Sequence, residues 1–355
     1  MTEHAADYEW RGEGDGAEVV LYAPDDSAFE RALPAAGLPG VESPVYAAAS
    51  QEGIGWAVTS TTHVAPDLLT IPLRGLLLVA GTRSENLSVP PQEMRGRLMR
   101  DLSEAGSRLP PLNAAGVGRL CESGARAVAE DGLIEEEDLP LLGVLPGDAD
   151  ALGRRALAAG VRDWEGRVDH DLRVVTEVLD SDGVESLGLE AGTLAFVLRT
   201  DAGDLGGIAA HRERILVRSE DFGAAPYLPA APVESGEAED LVAAVHAAAN
   251  FADARVARAI WIVRRVLGDV VGGLDIRAAW RVGGIEDQEG RLVHRGGLAS
   301  VEEGDVLVCG SYVAAGTGNM WASAPPFGVP EEEGRWPWEE AGLLERWAVL
   351  DPPEG

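Results

Sequence analysis

The 355-residue chain has no lysine, and all 29 of its basic residues are arginine. The absence excludes any P-loop built on a lysine. A GC-rich codon usage is the plain cause, given the abundance of Ala, Gly and Arg. Sixty acidic residues outweigh the arginines and set a net charge of −31. Nucleic-acid affinity rests largely on neutralising phosphates with cations, so such a chain repels polyanions unless its arginines gather in one patch. Cysteine is nearly absent. Cys121 and Cys309 stand far apart, outside any CxxC pattern. That usage excludes a disulfide framework and fits a reduced, cytoplasmic setting. There is no HExxH metal motif. The hydrophobic stretch Leu68 to Ala80 is too short for a membrane span and is interrupted by Arg74. Met1 to Gly16 is polar and acidic, unlike a signal peptide.

What is present is a globular composition, 46% hydrophobic over a length that supports a large core. Glu18–Tyr22 reads as an edge strand in an otherwise polar first forty residues. Gly53 and Gly55 mark a turn that feeds the buried strand around Trp56, and Leu68–Ala80 reads as core strand. Pro90-Pro91-Gln92 opens a helix with Met94, Leu98, Leu102 and Ala105 on one face. Further helices are expected over Cys121–Asp131 and Leu152–Val161, and strands over Leu172–Leu179, Thr193–Leu198, Arg291–Val293 and Asp305–Val308. The clearest element is a long helix, about 237–267, with Leu241, Val245, Ala248, Ala252, Val256, Ile260, Val263 and Leu267 at helical spacing. No low-complexity linker and no repeat divides the chain. The expected fold class is α+β: one large domain over 1–330, its core at about 45–320, with mixed sheets packed on helices. Residues 331–355 form an acidic tail with Trp336, Trp338 and Trp347. That tail is read either as pinned to its own domain or as a peptide that docks on a partner.

Chemistry concentrates at Val168-Asp169-His170-Asp171-Leu172. Asp, His and Asp suit a divalent ion or proton transfer near neutrality. Strand alternation, however, puts Asp169 and Asp171 on one face and His170 on the other. Gly203-Asp204-Leu205-Gly206-Gly207 is glycine-rich, but Asp201 and Asp204 would repel a phosphate, so it reads as a turn. His63, His211 and His246 read as loop, surface or packing residues.

A series of blocks carries more weight. In order these are GARAVAEDG at 124–132, DHDLRVVTEV at 169–178, FVLRTDAGDLGG at 196–207, AAANFADAR at 247–255, HRGG at 294–297 and GDVLVCGS at 304–311. The series resembles the RtcB-type RNA-splicing ligases over about residues 45 to 320. The resemblance implies an enzyme that uses GTP and Mn2+ to join a 3′-phosphate or 2′,3′-cyclic phosphate RNA end to a 5′-hydroxyl. It also implies Cys, Asp and His metal ligands and a histidine that becomes guanylylated.

This chain departs from that pattern. The family's Asp-x-x-Cys ligands fall at Ile71 and Arg74. Other histidine ligands fall at Arg199 and Trp280, and His170 alone is kept, the one residue that could still hold a metal. No histidine follows His294, so the guanylylated residue has no counterpart. Guanidinium has no lone pair to give a metal. The expectation is a pseudoenzyme with a degenerate metal site at Asp169, His170, Asp171, Arg74, Arg199 and Trp280. Its arginines would pair with Asp169 or Asp171 in place of the ion. Asn250, His294 and Arg295 are candidate contacts to a nucleotide or RNA. No cofactor is expected, with Mn2+ and GTP bound only if the family activity survives. The expected partner is a protein, with RNA disfavoured by charge and no membrane. The alternatives are an active, divergent GTP/Mn2+-dependent ligase, and a plain assembly component docking through its tail.

Overall fold

The computed structural model describes residues 3–6, 9–14, 16–23, 26, 29–50, 53–87, 90, 93–94, 96, 111–166, 168–219, 228–317, 320–322 and 344–353. Most of the helix expected after Pro90, including Leu98, Leu102 and Ala105, lies outside those residues, as do Trp336 and Trp338.

Five strands come early: β1 (Glu3–Ala6), β2 (Glu9–Glu13), β3 (Glu18–Tyr22), β4 (Val45–Ser50) and β5 (Gly53–Ser60). The short β6 (His63–Val64) precedes β7 (Leu73–Arg83). Then come β8 (Asp169–Val178), β9 (Thr193–Asp201) and the short β10 (Ala231–Pro232). After the long helix, Gly236–Val271, follow β11 (Leu274–Val282), β12 (Gly284–Gln288), β13 (Arg291–Gly296) and β14 (Ala299–Val301). The last are β15 (Val306–Cys309), β16 (Tyr312–Gly316), β17 (Met320–Ala322) and β18 (Leu344–Asp351).

Two seven-stranded sheets result, ordered β1-β2-β3-β4-β5-β13-β12 and β11-β7-β9-β8-β18-β16-β15. They pack face to face. Val20, Tyr22, Ala48 and Ala57 of the first sheet share a core with Leu77, Val79, Val197 and Leu307 of the second. Leu76, Leu78, Phe196 and Leu198 face the other way, onto Phe251, Val256 and Ile260 of the long helix. On the far side of the first sheet, Val19, Leu21, Val45 and Val58 bury Phe29 and Ala32 of the helix Phe29–Ala36. The order is therefore helices, sheet, sheet, helix. Period-two alternation along β3, β7 and β9 feeds a different core from each face.

The α+β class holds, and several expectations change in detail. Glu18–Tyr22 is an inner strand, flanked by β2 and β4. The helix expected over Cys121–Asp131 is two helices, Ala114–Ser123 and Ala125–Glu130. They meet at Gly124, whose φ of 53° is open to glycine. The glycine-rich stretch at 203–207 is the first turn of the helix Gly203–Ser219 rather than a free turn. Asp201 Oδ1 accepts from Gly203 N–H at 2.9 Å and Asp163 Oδ2 from Leu205 N–H at 2.8 Å. Carboxylates occupy this N-terminus, which satisfies its free N–H groups and leaves no place for a phosphate.

The long helix runs four residues beyond the expected end. Ser235 Oγ caps its start by accepting from Ala238 N–H, and Gly272 in the left-handed region closes it. Every residue from His246 to Ile260 is buried. The helix is thus a central rod with no solvent face along its middle. Among the described residues no helix is long and apolar enough to cross a membrane.

The segment set apart by composition at 331–355 contributes β18 to the interior of the second sheet, between β8 and β16. Leu344 and Leu350 are buried there, and Leu179 and Asp180 both donate to the Trp347 carbonyl.

Candidate functional site

The six residues of the supposed metal site come from four neighbouring strands. Trp280 stands opposite Gly75, Gly75 opposite Arg199, and Arg199 opposite Asp169. Directly opposed residues share a face, so this row points into the core between the sheets. Asp171 lies two residues on and shares it. The Trp280 indole covers Gly75 so closely that a Cβ at that glycine would collide with it. Arg74 lies in the next row, opposite Arg281 and Thr200, and so faces the helices. His170, opposite Leu198, faces the helices too. The set therefore divides into Asp169, Asp171, Arg199 and Trp280 on one face and His170 and Arg74 on the other. One ion cannot be held from both sides of a sheet. The alternation expected for Asp169-His170-Asp171 holds.

The arginines also differ in their partners. Arg199 is held near Asp171 and Asp169; burial lowers its pKa and those two carboxylates oppose the fall. Asp171 itself accepts from Arg173 Nε at 2.7 Å. Arg74 pairs elsewhere: its Nε lies 3.3 Å from Asp253 Oδ1 of the long helix, and its Nη2 donates to the Leu141 carbonyl. Arg281 Nη2 reaches the other oxygen of Asp253 at 2.5 Å. The expected pairing with Asp169 or Asp171 is thus absent at Arg74, because strand alternation turns it toward Asp253.

Asp253 is fully buried, and one carboxylate serves two guanidinium groups. The second cation has no whole anion of its own. Burial and the neighbouring Arg281 lower the Arg74 pKa to about 10, and Asp253 opposes them, so Arg74 stays charged near neutrality. Arg295, 3.5 Å from Glu286, feels Arg281 as well. His246 lies beside both, its pKa lowered by burial first and by these cations last. Arg74 and Arg281 thus form a buried cationic pair around Asp253, with Arg295 and the neutral His246 near Arg281.

The chain matches no family model, and no curated protein matches it.

Asn250, His294 and Arg295 were candidate contacts to a nucleotide or RNA. All three are buried and engaged within the protein. Asn250 Oδ1 accepts from Leu145 N–H at 2.9 Å, while Nδ2 donates to the Cys121 and Leu145 carbonyls. His294 Nε2 accepts from Ala65 N–H at 3.0 Å, which places its proton on Nδ1, 3.2 Å from the Val58 carbonyl. Neither ring nitrogen remains for a ligand. Among the described residues no group of three or more His, Cys, Asp and Glu side chains has metal-site spacing.

Burial pushes the His294 pKa down to about 4, from an ordinary 6.5. The unfolded chain takes up a proton near pH 6.5 and the folded one only near 4. Stability is therefore fully present above pH 6.5 and falls as pH drops toward 4, by on the order of 3 kcal/mol. Urea titrations at several pH values check this. The stability gap between the wild type and His294→Gln should narrow by that amount across the window, and a constant gap would refute it.

Asp253 and Arg281 are the site residues that strand and block reading did not select. For Asp253 the signal is its place in the apolar central turns of the 237–267 helix, where a charge must be buried and needs a partner; Arg281, on β11, carries no such local signal.

Proposed function

We propose that the chain is a degenerate RtcB-like protein, without ligase activity, that acts by binding. Its partner is a protein before an RNA end. One observation carries the reading. Where the resemblance places a cysteine ligand, Arg74 closes an ion pair with Asp253, beside Arg281. Two fixed cations repel Mn2+, and guanidinium cannot coordinate it. Residues 295–355 hold no histidine to serve as the family's nucleotide acceptor, which supports the same reading. The net charge of −31 supports a protein partner over RNA.

The test pairs calorimetry with a ligation assay. Full-length protein is titrated with Mn2+ and with GTP, then incubated with both and with 3′-phosphate and 5′-hydroxyl RNA strands. We expect no joined product and no metal binding that depends on His170. Tight binding of Mn2+ and GTP that disappears in His170→Ala, or any joined product, would overturn the reading in favour of an active, divergent ligase.

A further inference from the structure

The segment that Arg74 and Arg281 hold by its carbonyls is fixed on its inner side and apolar on its outer one. Arg264 donates to both oxygens of Asp138, at 2.5 and 3.1 Å. Arg74 Nη2 donates to the Leu141 carbonyl, and Arg281 Nη2 to that of Leu142 at 3.4 Å. Asn250 takes both the N–H and the carbonyl of Leu145, at 2.9 and 2.8 Å. Leu142 is buried within this turn. The anchoring bonds occupy its inner side and leave Leu141 and Val144 outward, 42% and 39% exposed.

A single exposed apolar residue needs no explanation, but these two belong together. Five large hydrophobic residues are exposed among the described ones, and two of the five fall in this one turn. Pro140 and Pro146, also exposed, flank them. Carboxylates frame the turn on both sides: Glu135, Glu136 and Glu137 before it, Asp148 and Asp150 after it, all exposed. The arginines that hold the segment do not neutralise that rim. Arg74, Arg264 and Arg281 face inward, to Asp253, Asp138 and the carbonyls. The turn is thus cationic beneath, apolar on top and acidic at its edges.

We propose that this turn docks a segment of a partner protein in which an apolar side chain stands between basic ones. The apolar group lies against Leu141 and Val144, and the cations lie against Glu135, Glu136 and Glu137. The binding role proposed above supplies only that the partner is a protein. Charge selects the occupant. A second copy, at net charge −31, brings its own carboxylates to the rim, and an acidic peptide meets it as a like charge. The anchored backbone favours docking too, since it has little conformational freedom left to lose when a partner settles on it.

The probe is a fluorescein-labelled peptide of arginine and leucine, with leucine at every third or fourth residue, titrated into the full chain by fluorescence anisotropy. Versions with serine for leucine and with glutamate for arginine run alongside. The first peptide should bind, slow amide exchange within residues 135–148, and weaken about tenfold between about 0.05 and about 0.5 M salt. The serine version should bind about tenfold more weakly, and the glutamate version should not bind. Leu141→Ser with Val144→Ser should lose about tenfold in affinity, as should the triple variant Glu135→Gln, Glu136→Gln, Glu137→Gln. Glu234→Gln, Glu239→Gln and Glu303→Gln together remove as much charge from exposed positions elsewhere, and should change affinity by less than about twofold. The proposal is overturned if the first peptide fails to bind, or if its serine version binds as well. It also fails if the distant glutamates matter as much as the rim, which would mean diffuse attraction to the net charge. Sedimentation that shows the chain pairing with itself through Leu141 and Val144 would give the surface to a second copy instead. None of these results bears on the ligation assay, so either reading can fail alone.

Discussion

Asp253→Ala lowers the unfolding free energy by about 3–5 kcal/mol, the range for removing one partner of a buried ion pair. The size follows from what remains. Arg74 and Arg281 would keep their charges inside the protein with no anion between them. Water cannot replace the carboxylate easily, since the surrounding helix is buried on every side. A denaturant titration would show the change as a lower midpoint at unchanged slope. Removing one cation as well should recover part of the loss, so Asp253→Ala with Arg74→Met should be more stable than Asp253→Ala alone. The exposed pair Arg83–Glu190 gives the contrast, and Glu190→Ala should change stability by less than about 1 kcal/mol. A loss at Asp253 as small as that would mean the two guanidinium groups reach solvent.

Asn250→Ala is the second large effect, on the order of 3 kcal/mol, because it strips three buried hydrogen bonds at once. These bonds tie the long helix to the end of the helix Ala114–Ser123 and to Leu145. The geometry also sets a finer expectation. In Asn250→Asp the amide donor becomes an oxygen that faces two carbonyls. That variant should be at least as unstable as alanine at pH 7 and should recover as acid protonates the new carboxyl. Thermal melts at pH 7 and pH 4.5, each referred to wild type, separate the two. An aspartate variant that matches wild type at pH 7 would mean that the Asn250 amide donor is not needed by the Cys121 and Leu145 carbonyls.

The long helix was readable because its apolar period persists over many turns, and its caps, Ser235 and Gly272, are ordinary boundary residues. The two faces of Asp169-His170-Asp171 were readable because alternation is local. What local pattern cannot carry is partnership across the chain. Arg74 looks the same whether it answers Asp169 or Asp253, and the register of β7 against β9, and of β9 against β8, which sets the face it points from, decides between them. The stretch at Gly203 misled for a related reason. Glycines there suggest a turn until Asp163, from a separate helix, is seen to cap them.

β18 has one more consequence. It fills an inner place in its sheet, yet its residues are synthesised after every other strand of that sheet. Until Leu344–Asp351 leave the ribosome, β8 and β16 each present a bare row of amides and carbonyls. Without β18 the strand order leaves β11-β7-β9-β8 and β16-β15 unjoined. Such open strand edges invite pairing with other nascent chains. A chain that stops short of residue 344 is therefore expected to aggregate more readily than the full one, which light scattering of the two would compare.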